Sequence, residues 1–143
     1  MGEKVNDHAV QVILINQLGY ERIAMACSAA FAQLFGCPPE RIEDLKTVVA
    51  EATINAIQHG NKNRPDAGVT IAMNYRDNSI DVLVIDEGEG ISQLPKKPDI
   101  ERIMNNLDPP IGFGVFLIKE LSDQVDFKTV TEKGHAVKMT IKF

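Results

Sequence analysis

The 143-residue sequence has no tryptophan, two cysteines and only 6% aromatic side chains. Cys27 and Cys37 stand ten positions apart, which fits neither a zinc knuckle nor a CxxC redox pair. They read as buried thiols in a reducing compartment. There is no surplus of positive charge: fifteen Lys and Arg against twenty Asp and Glu leave −5, the wrong sign for a nucleic-acid partner. No run approaches the roughly 18 apolar residues of a membrane span. The most apolar region, Ile23 to Phe35, is interrupted by Ser28 and Gln33 and is expected to be a core helix. Met1 to Val10 carries Glu3, Lys4, Asp7 and His8 and lacks the pattern of a signal peptide, so a cytoplasmic location is expected. Internal repeats, a P-loop and the HRD and DFG sets of protein kinases are also missing, so any nucleotide must be held in another way. What is present, 44% apolar and 24% charged residues, predicts one domain over residues 1–143. A chain of this length buries roughly 68–70% of its unfolded surface without needing a staple.

Val10 to Ile15 is apolar and β-branched and predicts a strand, and the helical spacing of Ile23, Ala26, Cys27, Ala30, Phe31 and Leu34 predicts a helix up to the stop at Gly36. Pro38-Pro39 opens a second helix, expected to reach Gln58 and stop at Gly60, with the stripe Ile42, Leu45, Val49, Ala52 and Ala56 laid on a sheet. Val69 to Tyr75 and Ile80 to Asp86 flank the turn formers Arg76-Asp77-Asn78-Ser79 and predict a hairpin. A second hairpin joins Val125–Thr131 to His135–Phe143, whose alternation of Val137, Met139, Ile141 and Phe143 with Lys138, Thr140 and Lys142 implies one buried and one wet face. Between the hairpins the sequence predicts a loop from Glu87 to Pro98, a short helix from Asp99 to Asn106, the turn Asp108-Pro109-Pro110 and a helix from Val115 to Leu121. Consecutive hairpins argue against a doubly wound parallel sheet. The expected fold class is α+β, a two-layer α/β sandwich whose mixed, mainly antiparallel sheet carries helices on one face.

Asp86 shares the strand phase of Ile80, Val82 and Val84 and so points to the apolar side, where a carboxylate needs donors from backbone or ligand. Alone it would read as a strand-end turn former. Gly88 and Gly90 follow it closely, and Gly112-Phe113-Gly114 precedes a helix whose free amides suit phosphate. Glu51 and Asn55 lie one turn apart on the second helix. They supply a carboxylate able to take a proton and an amide oxygen able to ligate Mg²⁺ beside phosphates, although the pair by itself would read as a solvated helix flank with a polar neighbour. His59 fits the helix C-terminus, where the dipole favours it. It forms no sequence cluster with His8 or His135, so a metal site made of protein ligands alone is not expected.

Glu51-Ala52-Thr53-Ile54-Asn55-Ala56-Ile57-Gln58-His59-Gly60, Asp86-Glu87-Gly88-Glu89-Gly90 and Gly112-Phe113-Gly114 before an apolar helix resemble, in order and spacing, the N, G1 and G2 boxes of the GHKL ATP-binding superfamily. The small size and the form of the first box look most like bacterial anti-sigma-factor serine kinases, and the resemblance spans nearly the whole chain. It implies a histidine-kinase-like ATPase fold with ATP held under a lid, here Ser92 to Gly112. Asp86 would accept the adenine amino hydrogens and Asn55 would hold Mg²⁺. Gly88, Gly90, Gly112 and Gly114 would shape the loops around base and phosphates, and Glu51 would be the catalytic base. It further implies a homodimer that phosphorylates a serine of an anti-anti-sigma protein of the STAS type and silences a sigma factor. Two positions depart from the pattern: His135 follows Gly134 where the family commonly has threonine, and Asp108-Pro109-Pro110-Ile111 replaces an arginine expected before the second glycine pair.

Two functions therefore compete, a serine kinase that sequesters a sigma factor and a non-catalytic ATP/ADP-binding module that switches between protein partners. An isolated histidine-kinase catalytic domain is disfavoured, because the segment before the first strand is too short for a phosphoacceptor helix pair and His8 precedes a strand-like run.

Overall fold

The computed structural model describes residues 8–88, 113–131 and 134–143. Five strands form one sheet: β1 (Ala9–Ile15), β2 (Gly68–Arg76), β3 (Ser79–Asp86), β4 (Gln124–Thr131) and β5 (Gly134–Lys142). Their order is β1-β2-β3-β5-β4 and every pairing is antiparallel, so the mixed sheet allowed for by the sequence is an all-antiparallel one among the described residues. The helices are α1 (Glu21–Gln33), α2 (Pro39–Asn55) and α3 (Phe113–Leu121). The expected lid, the short helix from Asp99 to Asn106, the Asp108-Pro109-Pro110 turn, Gly90 and Gly112 lie outside the described residues.

The period-two pattern fixes the register. Val69, Ile71 and Met73 of β2, Ile80, Val82 and Val84 of β3, and Met139 and Ile141 of β5 are buried on the helix side. They meet Leu45, Val48, Val49 and Ala52 of α2 and Ile118 of α3 in one core, each full burial stabilising by roughly 1.5–3 kcal/mol. The β2–β3 turn places Asp77 and Asn78 at φ of 50° and 57°, the left-handed pair that a tight hairpin requires and that Asp and Asn tolerate. Gly36, at φ +75°, ends the α1 region as expected.

Two expectations about burial change. Thr140, on the expected wet face of β5, is buried in a strand flanked on both sides by β3 and β4, and its hydroxyl donates to Asp81 Oδ1 at 2.5 Å. Helix α1 packs chiefly on α2 and buries Ala24, Ser28, Phe31 and Ala32, while Ile23 and Leu34 are 44% and 76% exposed. Three small residues at i, i+4 and i+8 make a shallow ridge that lets two helices approach closely. Hydrophobicity alone selects the larger neighbours, which is why the expected stripe is rotated. Of the thiols, Cys37 is buried and Cys27 half-buried.

Arg41, in the first turns of α2, ties the layers together. Its guanidinium donates to Asp44 at 2.8 Å, Asp123 at 2.5 Å and the carbonyl oxygens of Lys142 and Leu121 at 3.0 and 3.3 Å. This fork joins α2 to the ends of α3 and β5 through bonds a lysine ammonium lacks the geometry to match. Arg41→Ala is expected to destabilise the fold by about 2 kcal/mol, most of it from charge-assisted bonds, and Arg41→Lys to recover less than half. Urea unfolding midpoints at constant m-value check this.

Candidate nucleotide site

The last strand residue of β3 carries the phase through to its end: Asp86 is 6% exposed and lines a narrow cleft, open to solvent, between α2 and the sheet. The cleft has apolar walls from Ala52, Ala56, Val84, Phe127 and Val137, and its polar side chains are Asn55, His59, Asp86 and His135. Burial pushes the Asp86 carboxyl above the usual aspartate range, while the amide of Gly88, the charge of His135 and the amide of His135 pull it back. The Gly88 N–H donates to Asp86 Oδ1 at 2.8 Å. An ionised carboxylate has about four acceptor positions, so two backbone amides leave capacity for donors arriving through the cleft.

Helix α2 does not simply stop after Asn55. Ala56–Gly60 form a π-helical turn, in which Asn61 N–H donates to Ala56 O at 2.7 Å. Such widened turns gather at functional sites. Here it brings the Gly60 backbone over Asp86: a methyl at Gly60 would fall on the Asp86 carboxylate, and one at Gly88 on the Gly60 carbonyl oxygen. One at Gly134 would fall on the Asp86 carbonyl oxygen. Gly88, expected to let a ligand approach, thus also lets the chain's own backbone close up here: Gly60 and Gly88 pack together beside the Asp86 carboxylate, and Gly134 packs on the Asp86 main chain.

Glu51 and Asn55 share one edge of α2, but they face different neighbours. Asn55 lines the cleft. Glu51 is directed to the first turn of α3, where a methyl on Gly114 would lie 2.5 Å from its Oε2, and burial raises its carboxyl above the usual glutamate range. His59 is exposed at the cleft rim, in the last turn of the π-helical segment.

Two residues without a place in the sequence reading hold this end of the sheet. Asn61, fully buried, donates to Asn16 Oδ1 at 3.0 Å and Gly68 O at 2.9 Å and accepts the Glu87 N–H at 2.7 Å. Asn16 donates in turn to Arg64 O at 2.9 Å. The pair locks the turn after Asp86 to the π-helical segment, and the Gly68 N–H adds a bond by donating to the Glu87 carboxylate. The phase test that singles out Asp86 would have found Asn16, which continues the inward row of Val12 and Leu14.

The chain matches the histidine kinase-like ATPase domain over residues 16–141. It is 30% identical to the anti-sigma F factor of Clostridium botulinum (strain Eklund 17B / Type B) over 131 residues, 86% of each chain. It is 34% identical to that of Thermoanaerobacter sp. (strain X514) over 126 residues, 84% of this chain and 83% of the relative. Among solved structures, the RsbU and RsbW domains of Rv1364c from Mycobacterium tuberculosis superpose with a TM-score of 0.59 at 15% identity, covering 93% of this chain and 30% of that one. At that identity the likeness speaks for the fold. The cleft under α2, the buried carboxylate at its floor and these matches lead to one assignment: the chain belongs to the histidine kinase-like ATPase domain family, among relatives named anti-sigma F factors.

Proposed function

We propose that this protein is an anti-sigma factor that binds MgATP, transfers its terminal phosphoryl group to a serine of a STAS-type anti-anti-sigma partner, and sequesters a sigma factor. The observation that carries this is a buried carboxylate with spare acceptor capacity on the floor of an apolar cleft whose edge bears Asn55. A flat, apolar base with an amino group fits such a slot, Asp86 accepting the amino hydrogens. Asn55 offers the amide oxygen that would hold magnesium; the ion supplies charge neutralisation across the phosphates. Glu51, lifted by burial, takes the serine proton as the serine oxygen bonds to the terminal phosphorus and the bond to the ADP oxygen breaks. Labelled MgATP, this chain and a cognate anti-anti-sigma protein should yield label on serine. Nucleotide-dependent partner binding with no transfer would replace the kinase by the switch.

We also propose the homodimer, through the sheet face turned away from the helices. Ile13 and Ile15 of the edge strand β1 are 69% and 53% exposed, and the same face continues across the register from Ile13 to Thr70 and Ile85. An apolar edge of this kind invites pairing with a second copy. Ile13→Glu should weaken dimerisation by at least about tenfold, a like-charge and desolvation penalty of roughly 1.4 kcal/mol or more, with an unchanged circular dichroism spectrum. Sedimentation velocity over a concentration series checks it.

A further inference from the structure

The cleft floor holds a second polar side chain without a task. His135 is 7% exposed, lines the cleft and is the register partner of Asp86 across the β3–β5 ladder. Directly opposed residues on antiparallel strands keep their Cβ atoms about 4.5–5.5 Å apart on one face, so imidazole and carboxylate stand side by side. The ring pulls the Asp86 carboxyl back toward its ordinary range, no ion pair joins the two among the described residues, and both side chains line the cleft. Around them the floor and wall are hydrocarbon: Val84, Val137 and Phe127.

An acceptor beside a donor, in otherwise apolar surroundings, is a recognition pattern. On the edge of a 6-aminopurine the exocyclic amino group donates and the adjacent ring nitrogen N1 accepts; flipped or isolated bases are read by hydrogen bonds to that edge. Imidazole carries an N–H donor in either protonation state. Building on the nucleotide reading above, we infer that His135 is a base-recognition residue whose ring N–H donates to purine N1 while Asp86 accepts from the amino group. A site built to hydrogen-bond a ligand atom discriminates against the analogue that lacks it, because its buried polar group is then left unpaired.

The test is calorimetric titration of the intact protein with ADP and with 1-deaza-ADP, in which a C–H replaces N1. Wild type should bind 1-deaza-ADP about tenfold more weakly than ADP, the size of one lost hydrogen bond in a buried site. His135→Leu should bind the two alike, at about the wild-type affinity for the deaza compound, and His135→Gln, which restores an N–H, should regain part of the preference. Wild type binding both nucleotides equally overturns the assignment without need of a variant. A preference that survives in His135→Leu assigns N1 to another donor and overturns it as well. Wild type binding neither nucleotide overturns the nucleotide reading itself, and this inference with it.

Discussion

Asp86→Asn is expected to bind ADP and ATP on the order of 100-fold more weakly than wild type, yet to be the more stable protein at neutral pH when no nucleotide is present. The loss follows from replacing a charge-assisted acceptor, a bond of about 1.5–3 kcal/mol, by an amide that offers the base one weaker oxygen. The gain follows from linkage. Burial raises the folded-state pKa of Asp86 above its ordinary value, so the stability its carboxyl contributes is complete below the unfolded pKa and is lost as pH rises through the folded one. Near neutrality the ionised group therefore burdens the empty fold, and the isosteric amide, still able to accept the Gly88 N–H, relieves it. Melting curves should show the variant above wild type at pH 7 and the two converging in acid, below the ordinary aspartate range. Wild-type nucleotide affinity should in turn decline on acidification at a pH above that range, as the acceptor becomes protonated. A residue that merely capped the strand end would behave in the opposite way: the variant would melt lower and keep its nucleotide.

The same reversal separates what the sequence disclosed about this molecule from what it withheld. Asp86 was legible because a strand has a strict period of two, so a single acidic residue in phase with Ile80, Val82 and Val84 can face only the core. The hairpin at Asp77-Asn78 was legible for a similarly local reason, since few residues accept two successive positive φ angles. The π-helical turn was not, because one extra residue in a turn leaves no trace in a 3.6-residue pattern. Without it the proximity of Gly60 to Asp86 is invisible, and the glycines look like accommodations to a ligand alone. Nor was the seam of α1 legible, since Ala24, Ser28 and Ala32 are chosen for smallness and hydropathy does not score smallness. The site residues came from type and spacing; their division between the cleft and the α3 contact came only with packing.

These features share an energetic logic. Asn16 and Asn61 satisfy one another and the surrounding backbone, so their burial stabilises a specific arrangement of the β3 end. Asp86 and Glu51 are instead held against their preference for water. Buried groups with shifted protonation are concentrated where a protein does chemistry or binds ligands, and stability given up there is a recurrent companion of function.

Glu51→Gln should reduce phosphoryl transfer to the partner serine by about 10²–10⁴-fold, the range a general base supplies, without weakening ADP. The amide keeps the shape of the carboxylate beside Gly114 but cannot take the serine proton. Because burial raises the Glu51 pKa, the linkage sign is that of Asp86: the stability given by the carboxyl is full in acid and lost as pH rises through its folded value, so the variant should melt no lower than wild type at pH 7. Gly114→Ala is the companion measurement. Its methyl would occupy the space of Glu51 Oε2, and since that atom ends a flexible side chain, the carboxylate swings aside while the helix gains the roughly 0.5–1 kcal/mol by which alanine exceeds glycine. Transfer should fall in this variant too, with a melting temperature at or above that of wild type, a combination that general destabilisation does not produce. Single-turnover transfer, calorimetric ADP affinity and thermal unfolding, measured on both variants, distinguish the possibilities. A Glu51→Gln protein that transfers at the wild-type rate removes Glu51 as the base and leaves its burial a matter of α2–α3 packing.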